Sequence, residues 1–495
     1  MRPSAHPMLA LGVALGEALL ALALASCAVG PNYHRPTTQA STQYKEQDGW
    51  KPTEPADAIE RGPWWSIFND ATLDDLERQV EVSNENIKAA LAAYDQARAL
   101  VRQAQAGYWP TLGLSAGRTR SQSSAGHGIS TVTTLPGGGS STTIVTGPTQ
   151  TTYTVGANVD WTIDVWGQIR RTVEENRANA QASAAALANA RLSAQAELAT
   201  DYFELRAQDQ LLRLLDDTVT AEQLSLKITE SRYKYGVAAK ADVVSAETQL
   251  LSSQASRINA GIQRATLEHA IAVLVGRQPA QFSLSPAQMR ADVPTVPAGV
   301  PSTLLERRPD VAQAERKMAA ANAQIGVAIA AYFPTLTLSG SIDYTNNAFA
   351  HLVSLPNRAW SFGPGVAETV FDGGLRHAQV LGARAAYEGN VASYRQTVLT
   401  SFQQVEDELA TLRILEQQSG VEDETVKAAR LAETLTLNQY KAGTVPYSSV
   451  ITAQTTRLAA EETALTVLSN RLQASIALIE ALGGGWDMKQ LPARP

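Results

Sequence analysis

The sequence predicts a mainly α fold with a β-barrel part: long antiparallel coiled-coil helices that close into a tube, and four transmembrane-type β-strands in each chain. Three observations carry this expectation. From Gly167 to Gly236 there is no proline, and the only glycines stand at the two ends. Leu198, Leu205, Leu212, Val219, Leu226 and Tyr233 recur there every seventh residue, the seam of a helix that packs along a partner. At 1.5 Å per residue that helix spans on the order of 100 Å. Second, two pairs of segments alternate apolar and polar residues over about ten positions, the length of a membrane strand. Third, the whole pattern occurs twice.

The first segment, residues 1–26, reads as a secretory signal: Arg2 and His6 lead an Ala/Leu-rich run. It ends Leu24-Ala25-Ser26-Cys27, which resembles a bacterial lipoprotein cleavage box, and Cys27 is the only cysteine. That resemblance makes Cys27 the lipidation site, carrying a diacylglycerol and an N-acyl chain. Ala28 next to it, in place of Asp, looks like an outer-membrane address. With one cysteine the chain has no intrachain disulfide. Residues 27–70 then read as an extended, polar leader, interrupted by an aromatic knot, Trp64-Trp65-Ser66-Ile67-Phe68, that suits core packing.

Residues 71–275 form the first repeat. A helix from about Ala71 to Val82 is followed by one capped by Asn84 or Asn86 and running to about Gly107. Strands are expected over 111–119 and 152–165, with Tyr153, Val155, Ala157, Val159, Trp161 and Ile163 sharing one face. The Gly/Ser/Thr-rich stretch Ser121 to Gln150 reads as a long flexible loop. The long helix covers 167–236, with Gly236 as a left-handed end residue, and a return helix covers 241–275. A proline-rich hinge spans 276–308. The second repeat, 309–483, has strands at 335–344 and 360–371, a long helix at 373–443 and a return helix at 447–482; residues 484–495 are a tail. Gly363-Pro364-Gly365 in the fourth strand suggests a kink or bulge.

The repeat shows in matched residues. Tyr108-Trp109-Pro110-Thr111-Leu112 corresponds to Tyr332-Phe333-Pro334-Thr335-Leu336, and Tyr233-Lys234-Tyr235-Gly236 to Tyr440-Lys441-Ala442-Gly443. The spacing of the copies shortens between strand and helix, so the loop from Asn346 to Asn357 is the shorter of the two strand loops.

Four strands cannot close a barrel, and open strand edges are not tolerated in lipid, where backbone groups find no water. The barrel must therefore be shared between chains; two, three or four copies fit.

Composition removes several classes of function. The formal net charge of −7 excludes a basic nucleic-acid binder. After the signal, every long apolar-periodic segment carries charges, so no transmembrane helix is expected. No phosphate-cradling Gly-rich loop with Lys-Ser/Thr occurs, so the chain does not drive transport itself. His34, His127, His269, His351 and His377 have no metal spacing. Five methionines without a repeated motif give no sign of soft-metal export. Glu406-Asp407-Glu408 point in different directions on a helix and read as a solvated or lumen-facing patch rather than an acid–base pair.

These pieces together resemble the TolC-like outer membrane factor family, in its lipoprotein branch. The residues that carry the resemblance are Cys27 to Pro36, Arg308-Pro309-Asp310-Val311 with Ala314-Glu315 and Pro334, and the two Tyr-Lys-x-Gly turns. The resemblance implies a non-enzymatic homotrimer with no cofactor beyond the lipid on Cys27. It implies a twelve-stranded barrel in the outer membrane, a helical tunnel across the periplasm, and a belt built from leader, hinge and tail. Such a channel is a passive exit duct for small molecules, delivered by an inner-membrane RND-type pump through a periplasmic adaptor. The turns Gly236-Val237 and Gly443-Thr444 would meet that adaptor. In the family the closed tip is held between the two helix pairs, at positions matching Asp242 and Tyr440. The arginine some members place two residues after the second Gly is Val445 here, so the expected latch is a hydrogen bond from Tyr440 to Asp242; the bland alternative is that Asp242 caps the return helix. Two other readings compete: a duct for type I protein secretion, and a lipid-anchored periplasmic coiled-coil adaptor.

Overall fold

The computed structural model describes residues 28–35, 43–47, 63–122, 131–134, 140–143, 149–289, 292–294, 296 and 306–492. The signal segment, Cys27, much of the leader and parts of the first strand loop and the hinge lie outside them. In chain order the helices are α1 (Ala71–Ser83), α2 (Glu85–Ala106), α3 (Gln168–Lys234), α4 (Lys240–Leu274), α5 (Pro309–Ala330), α6 (Leu375–Ala442) and α7 (Tyr447–Ala481). The strands are β1 (Thr111–Gln122), β2 (Thr131–Thr134), β3 (Ser140–Thr143), β4 (Thr149–Ile163), β5 (Thr335–Asn346) and β6 (Arg358–Ala367). Two compact units emerge. One holds residues 99–176 and 320–387 with the first described residues; the other holds 34–98, 177–319 and 388–495.

In the first unit the strands form one antiparallel sheet in the order β1-β4-β5-β6. Its register sorts the side chains. The rung Leu114–Ala157–Ile342–Trp360 is apolar throughout; the adjacent rung, Gly113–Asn158–Ser341–Ser361, is small and polar. Alternation along each strand thus becomes one apolar and one polar face. The apolar face is uncovered in the single chain: Leu114 is 83% and Trp360 70% exposed. On the polar face Gly156 stands opposite Asp343, and a Cβ there would fall 1.9 Å from Asp343 Oδ1, so a larger residue would displace the Asp343 side chain. β1 and β6 each have a partner on one side only.

Carboxylates end the strand pairs and start the long helices. Asp164 accepts from the Ile169 and Arg170 amides at 3.0 and 2.9 Å, capping α3. Asp372 accepts from the Gly374 amide at 2.9 Å and the Arg376 amide at 3.3 Å, capping α6. Each acid also pairs with the arginine of its own cap, Arg170 or Arg376. The indole of Trp166 stacks on Phe333 at 4.7 Å and donates to the Pro334 carbonyl at 2.8 Å.

In the second unit α3 with α4, and α6 with α7, fold back as hairpins. Buried residues of α3 (Leu198, Leu205), α6 (Val405, Leu409) and α7 (Leu472, Ile476) form one apolar core with the knot Trp64, Trp65 and Phe68. Asp70 caps α1 through the Thr72 and Leu73 amides and accepts from the Tyr202 hydroxyl at 2.7 Å. Asn84 caps α2 through the Asn86 and Ile87 amides and donates to the Leu274 carbonyl at the end of α4. The hinge is held by charge. Buried Asp209 pairs with Arg206 and Arg264, each at 2.7 Å, and accepts from the Ala287 amide. The two arginines donate to the Ser285 and Leu284 carbonyls.

Several expectations are corrected. Part of the stretch from Ser121 to Gln150 is paired, β2 running antiparallel to β3, where Thr and Val suit extended backbone. The fourth strand has no bulge: Leu338 pairs with Pro364 and Thr337 with Gly365 in unbroken register. A proline is accommodated there because β6 has a strand on only one side in the chain. β6 also stops at Ala367, since the following residues turn into the Asp372 cap. The leader is packed where it is described: Tyr44 is buried, and the Lys45 and Glu46 amides donate to Glu406, which is therefore a tether and not part of a free acidic patch. Finally, the heptad seam does not stay buried. Tyr233 is 46% exposed, and below Leu215 the buried positions of α3 are Thr218, Glu222, Ser225 and Thr229. These face the neighbouring helices through polar side chains.

Candidate functional site

The two hairpin turns repeat one motif. At the end of α3, the Gly236 amide donates to the Tyr233 carbonyl and the Val237 amide to the Arg232 carbonyl, with Gly236 at φ +73°. At the end of α6, Gly443 donates to Tyr440 and Thr444 to Gln439, with Gly443 at φ +82°. Both are glycine-terminated helix ends in which the left-handed residue satisfies the last carbonyls. Gly236, Val237, Gly443 and Thr444 are all exposed.

Behind the turns lies a small core of Ala246, Tyr440, Tyr447 and Val450, with Val445 packed against it. Val445 thus brings an apolar side chain to this core. The rings of Tyr440 and Tyr447 lie 5.2 Å apart. Burial pushes the Tyr447 hydroxyl up to about 12, with Glu222, Tyr440 and Asp242 adding to the shift.

The expected Tyr440–Asp242 bond is replaced by another arrangement. The Tyr440 hydroxyl donates to Thr229 Oγ1 at 3.3 Å, across to α3. Asp242 Oδ2 accepts from the Ala239 amide at 3.3 Å, so this carboxylate closes the first turn of α4. That first turn leaves free amides, and a nearby carboxylate satisfies one more readily than it reaches a buried phenol. The cation at the tip is Arg232, contributed by α3. Its guanidinium lies over the Tyr440 ring at 4.8 Å, and Nη1 donates to the Lys441 carbonyl at 2.8 Å. Arg232 and Thr229 escaped sequence reasoning. The available signal was the stretch Thr229 to Gly236, in which the arginine stands four residues before the turn glycine and faces the matching turn of the other hairpin.

Above this core the hairpins meet through polar groups. Gln454 of α7 donates to Ser225 of α3 at 3.3 Å, and Arg457 to Thr218 at 3.2 Å. Arg457 also pairs with Glu433 of α6 at 2.6 Å and with Glu461 on its own helix. Glu222 accepts from Gln249 at 3.0 Å, and burial raises its carboxyl above the usual range. Far from the turns the Ser193 hydroxyl of α3 donates to Glu480 of α7 at 2.9 Å, but most hydrogen bonds between the hairpins lie toward the turns.

A second point of interest follows Cys27. The Val29 amide donates to the Trp166 carbonyl at 3.0 Å. Buried Arg171 donates to the Val29 and Gly30 carbonyls and to Asn32 Oδ1, and Asn322 donates to the Pro31 carbonyl. Gly30, at φ +95°, lies so close to Gly326 that a Cβ would come within 2.5 Å of its Cα. The backbone after Cys27 is thus held at the start of α3 and along α5. Among the described residues no group of His, Cys, Asp and Glu could hold a metal ion, and no helix is long and apolar enough to cross a membrane.

Two helical hairpins tied at their turns, with a two-faced sheet open at both edges, define a subunit of a channel whose barrel is shared between chains. The chain belongs to the outer membrane efflux protein family, whose model matches residues 76–277 and 300–484. It is 28% identical over 478 residues to the probable efflux pump outer membrane protein TtgC of Pseudomonas putida, covering 95% of each chain. It is 30% identical over 441 residues to the pyoverdine export outer membrane protein OpmQ of Pseudomonas aeruginosa, covering 87% of this chain and 89% of that one. The solved outer-membrane channel OprN superposes with a TM-score of 0.82 at 28% identity, over 93% of this chain and all of that one. The fold is that of the trimeric α/β-barrel channels, and the function is that of the outer membrane exit duct of an efflux system. This rules against the lipid-anchored periplasmic coiled-coil adaptor.

Proposed function

We propose that three copies of this chain close a twelve-stranded barrel and that the helix hairpins form its tunnel into the periplasm. The duct is passive and takes small molecules from an RND-type pump in the inner membrane, through an adaptor that docks at Gly236-Val237 and Gly443-Thr444. The observation that carries this reading is the sheet: a face that is apolar through the rungs of Leu112 and Leu114, a polar face bearing Asn158, Asp160 and Asp343, and two unpaired edges. In lipid every backbone group at those edges needs a partner strand, and only other copies can supply it. The polar face then lines a water-filled lumen, which limits size and charge and leaves substrate choice to the pump.

In the resting state Arg232, Tyr440 and Thr229 hold the two hairpins together at the tip, with Asp242 shaping the turn and Val445 filling the core behind it. Cys27 carries a diacylglycerol and an N-acyl chain and anchors the duct in the outer membrane. The clamp by Arg171 and Asn322 supports this, because it holds the residues that follow Cys27 against the unit that contains the strands. No further cofactor is needed.

The test is fractionation of cells making the full chain or Cys27→Ser, with unheated gels and palmitate labelling. The expected result is a detergent-requiring, heat-modifiable trimer in the outer membrane, labelled through Cys27 only in the unsubstituted chain. A monomer soluble without detergent would overturn the shared barrel. An outer-membrane trimer that takes no label would overturn the lipid anchor alone.

A further inference from the structure

Beside the turns, α3 and α6 border a shallow groove of about 330 Å³ lined by Lys227, Ile228, Ser231, Arg232 and Lys441. Three of these five side chains are cations. Lys227 and Lys441 are exposed, and among the described residues neither forms an ion pair. Glu230, on the same stretch of α3, is exposed and forms none with them. Asp242 is already engaged by the Ala239 amide. Arg232 uses Nη1 on the Lys441 carbonyl, while its Nε is buried with no acceptor among the described residues. The groove therefore presents uncompensated positive charge, with Ile228 as apolar surface beside it.

We propose that this groove receives carboxylate side chains of the docking partner. The adaptor segment that meets the turns would carry Asp or Glu at the level of Lys227 and Lys441. This inference rests on the proposed docking of an adaptor at Gly236 and Gly443, and it specifies the chemistry of that partner. A guanidinium and two ammonium groups around one concavity select an anion, and the planar arginine fork suits a carboxylate. Complementary charge at such a rim speeds encounter and fixes register, which a helical partner sliding along helical grooves needs. It also couples docking to the tip, since a carboxylate reaching Arg232 competes with the Lys441 carbonyl for the same guanidinium.

The experiment uses the full-length channel in native cell envelopes. A photo-crosslinking amino acid at Val237 or Thr444 reports docking without regard to charge. A water-soluble carbodiimide, which joins a lysine amine directly to a carboxylate, reports the groove, and mass spectrometry reads the linked peptides. The expected result is an amide link from Lys227 or Lys441 to an Asp or Glu of the same periplasmic protein captured at the turns. Lys227→Glu with Lys441→Glu should lower photo-capture by roughly tenfold, while Lys227→Arg with Lys441→Arg retains it, as charge complementarity requires. Unheated gels confirm that both variants remain trimeric. If photo-capture is normal but the lysines link only to another copy of this chain, or to nothing, the groove proposal is overturned and docking stands. If neither turn captures a partner, the docking reading fails and this inference fails with it.

Discussion

Arg232 makes two contacts with one side chain, a cation–π contact with the Tyr440 ring and a hydrogen bond to the Lys441 carbonyl. At a partly exposed site the first is worth about 0.5–1 kcal/mol and the second about 1.5 kcal/mol. Losing both in each of three subunits is enough to shift a closed–open balance. Arg232→Ala should therefore raise the open fraction in planar-bilayer conductance, by roughly tenfold or more per subunit contact of 1.4 kcal/mol. Tyr440→Phe keeps the ring and loses only the bond to Thr229, so its effect should be smaller. Equal closed-state conductance in wild type and Arg232→Ala would remove this residue from the gate. Glu77 offers a different test. It lies on α1, fully buried, and neither carboxyl oxygen has a partner among the described residues. Burial, helped by Asp74, pushes its carboxyl up to about 9. The folded chain keeps this proton while the unfolded chain releases it near the usual value, so the folded state loses stability as pH rises from about 4.5 toward 9. At pH 7 the cost is about 3 kcal/mol. Glu77→Gln should melt higher than wild type at pH 8, with the gap closing toward pH 5. A gap that does not change with pH would show that Glu77 does not titrate as its burial requires.

At the scale of elements, the strands act through the register that joins them. Ile342 and Ser341 are neighbours on β5 but lie on opposite faces, in an apolar and a polar rung. A lysine facing lipid at mid-depth costs about 2–4 kcal/mol per strand, whereas one facing the lumen stays wet. Ile342→Lys should therefore reduce the heat-modifiable trimer in the outer membrane, and Ser341→Lys should leave its amount unchanged and alter ion selectivity. Equal trimer yields would contradict the assigned faces. Alternation made those faces legible from residues alone, because a period of two leaves no ambiguity once a strand is recognised. The turns at Gly236 and Gly443 were legible for a similar reason, since a left-handed helix end selects glycine. The β2–β3 pair was not: a Gly/Ser/Thr-rich stretch has the composition of a loop, and its pairing depends on a register that composition does not encode. The unbroken path of β6 through Pro364 was hidden likewise, because the cost of a proline depends on which neighbours its strand has.

For the whole molecule, duplication has a physical consequence. Each repeat contributes two strands to the four-stranded sheet and one helical hairpin, and β4 of the first pairs with β5 of the second. The chain thus makes a single four-stranded sheet with one edge strand from each repeat. Such a sheet is incomplete by construction, and membrane insertion has to be coupled to assembly. The helical unit has the same division of labour. An apolar core holds leader, knot and hairpins together, and polar contacts between hairpins gather toward the turns. An interface of hydrogen bonds and ion pairs can exchange partners with water at lower cost than an apolar one, so this is the part of the helical unit suited to opening.

The sequence by itself determined the helices, the two strand pairs, the repeat, the glycine turns and the family they resemble. All of these depend on local periodicity or on single residues with special backbone freedom. Only the tertiary structure decided which side chains meet at the tip. Asp242 and Tyr440 stand at matching positions yet bond elsewhere, because a free amide lies nearer to Asp242 and Thr229 lies nearer to the phenol. The cation beside Tyr440 comes from α3, far from α6 in sequence, and its place over that ring follows from how the two hairpins pack. That packing is set by side chains interlocking across distant segments, and no pattern confined to one segment records it.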